Sequence, residues 1–188
     1  MKSLLEAREK CGFSQRELAA KAGVAFRSVQ LLEWGEHDPR LSTLKKLANP
    51  LGYPPQIVDR YLDDMFKLPP DSIAVISEWI LEQGESSWKT WLFNFVDAFR
   101  ADPNKELIAL PPAPGISVRM QALLASTVEA MSAEKELPFP PWCQACESLP
   151  DPWFVSGMES LKAMALLESP VYFRKRNIFV LGNFLDRA

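Results

Sequence analysis

The chain has 188 residues, 47% of them hydrophobic and 24% charged, with a net charge of −3. That composition suits one or two folded domains and argues against a disordered chain. Three cysteines, an odd number, argue against a secreted disulfide scaffold and for a reducing cytoplasm.

No apolar run reaches the ~18 residues that cross a bilayer. The opening MKSLLEAREKCGF carries charges where a secretory signal would be apolar. The expectation is therefore a cytoplasmic protein with no membrane role. Charge is unevenly spread. Residues 1–60 hold ten Lys/Arg and seven Asp/Glu, a net of +3, and the rest hold eleven and seventeen, a net of −6. A mildly basic head precedes an acidic body. Such a head binds nucleic acid weakly alone, so tight binding calls for two copies.

The strongest local signal lies in residues 14–35, SQRELAAKAGVAFRSVQLLEWG. Ser14 followed three residues later by Glu17 has capping-box spacing and predicts a helix start. Leu18, Ala19 and Ala22 then recur at helical spacing. Ala19 is small enough for a second helix to cross closely. Gly23 predicts a stop, because glycine enters the left-handed region at little cost. Val24 plugs the turn. The next helix puts Val29 and Leu32 on one face and Phe26, Arg27, Gln30 and Leu31 on others. Two short helices around a tight turn have the form that lays the second helix in a DNA major groove.

The pattern continues through Glu33, Gly35, Pro39, Leu41, Thr43-Leu44, Leu47-Ala48 and Leu51-Gly52. With Gln15, Leu18-Ala19 and Ala22-Gly23-Val24, it resembles the phage-repressor-type (XRE, Cro-like) helix-turn-helix family over residues 2–53. The resemblance implies a five-helix head that binds double-stranded operator DNA. By position, Gln15 corresponds to a backbone-and-base contact. Phe26, Arg27 and Leu31 fall at base-facing positions and Ser28 at a phosphate contact. Arg16, Gln30 and Arg40 complete the DNA-facing set. Arg27 suits direct readout, since its fork matches the two acceptors of guanine, and Phe26 suits a thymine methyl, with core or domain packing as the alternative. Arg8 and Glu33 occupy positions where the family pairs its first and third helices; the plainer reading is two solvated charges. Asn49-Pro50 departs from the pattern and predicts that the fourth helix ends near Ala48 or Asn49.

After Tyr53-Pro54-Pro55, residues 57–66 read as a fifth helix, which closes a domain over residues 1–68. Leu68-Pro69-Pro70-Asp71 marks the boundary to a helical domain over residues 71–188. Its expected helices cover residues 73–81, 88–99, 118–131, 153–167 and 171–188. Ser86 or Ser87 is the expected cap of the second, and Ser169-Pro170 of the last. The weak strand candidates are residues 107–109 and Phe179-Val180. The fold class is all-α.

No catalytic set emerges. His37 is the only histidine, and no nucleophile–base arrangement forms around it. No glycine-rich phosphate loop occurs. Cys143-x-x-Cys146 has half the ligands of a zinc knuckle, and two redox-silent cysteines are the better reading. No cofactor and no metal are expected. The tail, SPVYFRKRNIFVLGNFLDRA, clusters Arg174, Lys175 and Arg176. They are candidates for contact with a partner protein or nucleic acid; salt bridges to the domain's own acidic groups serve as well. Residues 153–185 also loosely resemble the C-terminal end of helix-turn-helix proteins that accompany nucleotidyltransferase-type toxins. That resemblance implies an antitoxin, a dimeric repressor whose body restrains a toxin. The alternative is a stand-alone regulator whose aromatic-rich body, with six Trp and eleven Phe in the chain, forms a small-molecule pocket.

Overall fold

The computed structural model describes residues 2–186. The chain divides into two compact units, Met1–Lys67 and Leu68–Ala188. In the first unit the helices are α1 (Lys2–Lys10), α2 (Gln15–Ala22), α3 (Phe26–Trp34), α4 (Leu41–Ala48) and α5 (Gln56–Lys67). The Ser14 hydroxyl accepts from the Glu17 amide at 3.2 Å, and the Ser14 amide donates to the Glu17 carboxylate at 2.7 Å, so the capping box is complete. Gly23 ends α2 in the left-handed region at φ +61. Past α4 a 3-10 turn, Asn49–Leu51, holds Pro50 where a helix would reject it. Leu18, Ala19, Val29, Leu32 and Leu47 form the core of this unit, with Leu4 and Ala22 at its edge.

The second unit contains α6 (Ile73–Gln83), α7 (Trp88–Ala101), α8 (Val118–Glu134), α9 (Pro141–Gln144), α10 (Lys162–Glu168) and α11 (Val171–Arg174). α8 is the central strut, with eleven of its seventeen residues buried. Ile73, Ile76, Leu92, Phe95, Phe99 and Phe173 pack with it into one core. Ser87 precedes α7 as expected, but its hydroxyl donates back to the Gly84 carbonyl at 2.7 Å and does not cap the helix.

The last third of the chain departs from the expectation of two long helices. Trp153–Phe154 (β1) pairs in parallel with Ile178–Phe179 (β2), in the register Trp153 with Ile178 and Phe154 with Phe179. Gly157, at φ +68, breaks any helix through residues 153–167. Asn177, at φ +59, turns the chain out of α11 and into β2. That conformation is uncommon outside glycine and tolerated best by Asn. Its side-chain amide donates to the Leu149 carbonyl at 3.2 Å, which helps hold the turn. The α11 cap is Pro170, not Ser169. The Ser169 hydroxyl instead donates to the Ile178 carbonyl and accepts from the Val180 amide, joining the end of α10 to β2. Of the weak strand candidates, Phe179 is a strand residue, and Leu107 lies in a 3-10 turn. No helix among the described residues is long and apolar enough to cross a membrane.

Candidate nucleic-acid interface

α3 divides its side chains by face. Val29, Leu32 and Glu33 are buried, and Phe26 and Arg27 are exposed. Ser28, Gln30 and Leu31 are half-buried. Arg16 on α2 and Arg40, just before α4, are also exposed. The residues expected at DNA thus stay clear of the core, while their helical neighbours anchor it.

The anchor is a buried ion pair. The Arg8 guanidinium donates from Nε to Glu33 Oε1 at 2.6 Å and from Nη2 to Oε2 at 3.1 Å. Its third contact is the Phe13 carbonyl, at 2.8 Å from Nη1. The Glu33 side chain is fully buried and that of Arg8 is 10% exposed. The reading of two solvated charges fails here. Removing one partner of such a pair strands the other and costs about 3–5 kcal/mol. Burial by itself would push the Glu33 carboxyl up; the hydrogen bonds from Arg8 and Gln15, with the Arg8 charge, outweigh it and hold the group below its ordinary 4.5.

Gln15 belongs to the same network. Its Nε2 donates to Glu33 Oε2 at 2.6 Å. One side-chain N–H is thereby committed inward. The second N–H and the carbonyl oxygen remain for an outside partner. One carboxylate therefore ties α1, the start of α2 and α3 together, a link invisible in local sequence pattern because the residues lie 18 and 25 positions apart.

Two further contacts escaped the sequence. The Arg16 guanidinium lies over the Phe26 ring, 5.4 Å from its centroid. The Arg27 guanidinium lies over the Trp34 ring at 5.5 Å. Phe26 is 36% exposed and Trp34 57%, so Phe26 is neither a core residue nor a bare ring; Arg16 covers part of it. The only sequence signal for the second pair is its seven-residue spacing, two turns along one helix face.

Residues 4–58 match the helix-turn-helix family. The head is a helix-turn-helix domain. A curated relative from Haemophilus influenzae, an uncharacterized HTH-type transcriptional regulator, is 38% identical over 52 residues, 28% of this chain and 53% of that protein. The chain thus spans about half the length of the curated relative that it matches. No solved structure matches the chain.

The tail cluster behaves differently from the expected partner-binding surface. Arg176 is 3% exposed and forks onto Glu129 of α8 at 2.7 and 2.9 Å. A further N–H of its guanidinium donates to the Cys143 carbonyl. Lys175 pairs with the same carboxylate at 2.5 Å. Arg176 is therefore a core residue, not a contact surface, and Lys175 is committed to Glu129; only Arg174 is exposed without such a bond. The physical reason is Glu129, a carboxylate 1% exposed that needs compensating charge. Its burial pushes the carboxyl up, but hydrogen bonds from Arg176 and Lys175 bring it below its ordinary value. Cys143 is buried against this network and burial pushes its thiol up to about 12. A thiol so far from ionisation is a poor metal ligand or nucleophile.

Many of the body's aromatic residues are in or against its core, while Trp79 and Phe139 are exposed. Phe95, Phe99 and Phe173 are fully buried, and Trp88, Trp91, Trp142 and Trp153 pack against the same cluster. Two surface cavities in this unit, one beside Arg119 and Trp153 and one beside Arg100 and Tyr172, measure about 250 Å³ each. Both fall below the ~300–1,000 Å³ of ordinary ligand pockets.

Proposed function

We propose that this chain is a sequence-specific DNA-binding transcription regulator, a repressor that occupies its operator as a homodimer. The observation that carries the reading is the division of α3, whose expected DNA-facing residues stay outside the core while Glu33 locks the helix to α1 and α2. The regulator name of the Haemophilus influenzae protein supports it over the matched segment. Base readout falls to Arg27, with Phe26, Gln30 and Leu31 beside it. Arg16, Ser28 and Arg40 hold the phosphate backbone, and Gln15 contacts both backbone and base. Selection from a randomised duplex library by the full chain should enrich one motif, and its affinity should fall steeply with salt. Enrichment of no motif would overturn the reading.

The dimer is supported by α5, whose Tyr61 and Phe66 are 70% and 80% exposed with Met65 beside them. Large apolar side chains left uncovered on one helix mark an interaction surface. Two heads should protect half-sites about 34–36 Å apart or a multiple of that. Light scattering that gives a monomer at working concentration, with a single half-site footprint, would remove the dimer.

The finer reading is an antitoxin whose body binds a partner toxin. The tail cluster does not carry it, since Arg176 is buried; α10 supports it, with Met164, Leu166 and Leu167 exposed, Leu167 at 83%. Co-expression with the adjacent reading frame should yield a stable complex that Leu167→Glu breaks. The small-molecule sensor is the second reading, and neither of the two body cavities described above reaches the size of an ordinary ligand pocket.

A further inference from the structure

We propose that Trp34 is a specificity-determining positioning residue: its indole holds the Arg27 guanidinium for base readout. This rests on the DNA-binding reading above. α3 runs from Phe26 to Trp34, so Arg27 and Trp34 stand about 10 Å apart along one face at 1.5 Å per residue. Helical side chains lean toward the N-terminus, which brings the Trp34 ring back over the preceding turns. The Arg27 side chain reaches the other way to meet it, 5.5 Å from the ring centroid. Between them on the same face lie Gln30 and Leu31, at the i+3 and i+4 positions.

A guanidinium over an indole is held through the ring quadrupole. That attraction uses none of its N–H donors as hydrogen bonds, and those donors are what a guanine reads. The contact therefore leaves readout capacity intact and removes rotamer freedom before DNA arrives. Trp34 is 57% exposed and has no place in the core of the head, so packing does not explain a tryptophan there. Arg16 on Phe26 repeats the device at the other end of the helix. The cation that faces each ring comes from a different helix for Phe26 and from the same helix for Trp34, so the two stacks are independent.

The test uses the full chain and a duplex that the parent selects from a randomised library, with a scrambled duplex as reference. Trp34→Ala should reduce the ratio of the two affinities about two- to five-fold, the range of one exposed cation–π contact. The salt slope should stay unchanged, since tryptophan neutralises no phosphate. Trp34→Phe should restore most of the ratio. In an Arg27→Ala background, Trp34→Ala should have no further effect. Without DNA, the Arg27 Nε–H resonance, assigned through its loss in Arg27→Lys, should shift in Trp34→Ala. An unchanged ratio in Trp34→Ala overturns the proposal. A raised ratio overturns it too, by showing that the stack withholds Arg27. An undiminished Trp34→Ala effect in the Arg27→Ala background would make Trp34 a DNA contact in its own right. A parent that selects no motif, while the resonance still shifts, would locate the failure in the DNA-binding reading and take the specificity role with it.

Discussion

Arg27 lies in the first turn of α3 and Arg176 two residues past the end of α11, both beside a short helix, yet they end in opposite places. Arg27 is exposed and rests on an aromatic face. Arg176 is buried and forks onto Glu129. The difference lies outside both local sequences. The head buries one acid, Glu33, and satisfies it with Arg8 and Gln15 from α1 and α2. Of its other cations, Lys45 pairs with Asp59 and Lys67 with Asp64 nearer the surface, and Arg16 and Arg27 lie over aromatic rings. The body buries Glu129 in its longest helix, and the tail must turn inward to neutralise it. A basic run marks a contact surface only where no buried carboxylate claims it.

The largest effects should come from breaking the two buried pairs. Arg176→Ala strands Glu129 in the core of the second unit and should cost about 3–5 kcal/mol in urea unfolding. Glu33→Ala should cost about the same in the head, and should weaken operator binding as well because Gln15 loses its anchor. Replacing both Glu129 and Arg176 with apolar residues of like size should recover much of the loss, since no buried charge is then left alone and the exposed Lys175 turns to solvent. A single Arg176→Ala that unfolds like the parent would mean the carboxylate finds other compensation.

Acid should act on the same pairs. Both Glu33 and Glu129 are held below their ordinary value of 4.5 in the folded chain. A depressed carboxyl contributes stability that is fully present above the unfolded pKa and fades as pH falls through the folded one. Unfolding free energy should thus be flat from pH 7 down to about 5 and decline below 4.5. Glu129→Gln should flatten part of that decline. A decline beginning above pH 6 would point to other groups.

What the sequence showed clearly was local. The Ser14–Glu17 box, the Gly23 stop and the break at Asn49-Pro50 each involve residues within a turn of one another, and each appears where its pattern puts it. Helix periodicity separates Phe26, Arg27 and Gln30 from the buried Val29 and Leu32, while the DNA-facing role expected of the set comes from the family resemblance. What stayed hidden was non-local. Arg8, Gln15 and Glu33 meet only after three helices pack. The β1–β2 pair joins two-residue stretches 25 positions apart; its aromatics, Trp153, Phe154 and Phe179, fit a helical stripe equally well. Asn177 in the left-handed region, which ends the expected final helix, carries no strong pattern. Ser169 looked like a cap because Pro170 follows it, and its hydroxyl was drawn instead to β2.

The readout prediction is smaller and sharpens the contrast from the side of the head. Arg27→Ala should cost about 1–3 kcal/mol on the selected operator and little on random DNA. Arg16→Ala and Arg40→Ala should weaken both duplexes alike and lower the salt slope by about one each. Equal losses for Arg27→Ala on the two duplexes would make it another phosphate contact, and the head would then resemble the body in using arginine only as a charge.

The smallest effect belongs to Arg174, the member of the tail cluster that is exposed and not paired with Glu129. Surface substitutions away from caps and buried pairs lie within about 0.5 kcal/mol of zero, so Arg174→Ala should unfold with the parent. Arg176→Ala, two residues away, should not. This pair of variants also decides how a partner surface can be tested. A triple change at Arg174, Lys175 and Arg176 would remove both cations from Glu129, and any lost binding would report unfolding. Arg174→Glu leaves Glu129 satisfied and reverses the one charge of the cluster that Glu129 does not hold. If a basic tail helps to hold an acidic partner, Arg174→Glu should weaken the complex while far-UV and near-UV dichroism stay those of the parent. If binding is unchanged, the basic run in this tail serves Glu129, and any partner must be held by another surface, of which the exposed leucines of α10 are the nearest.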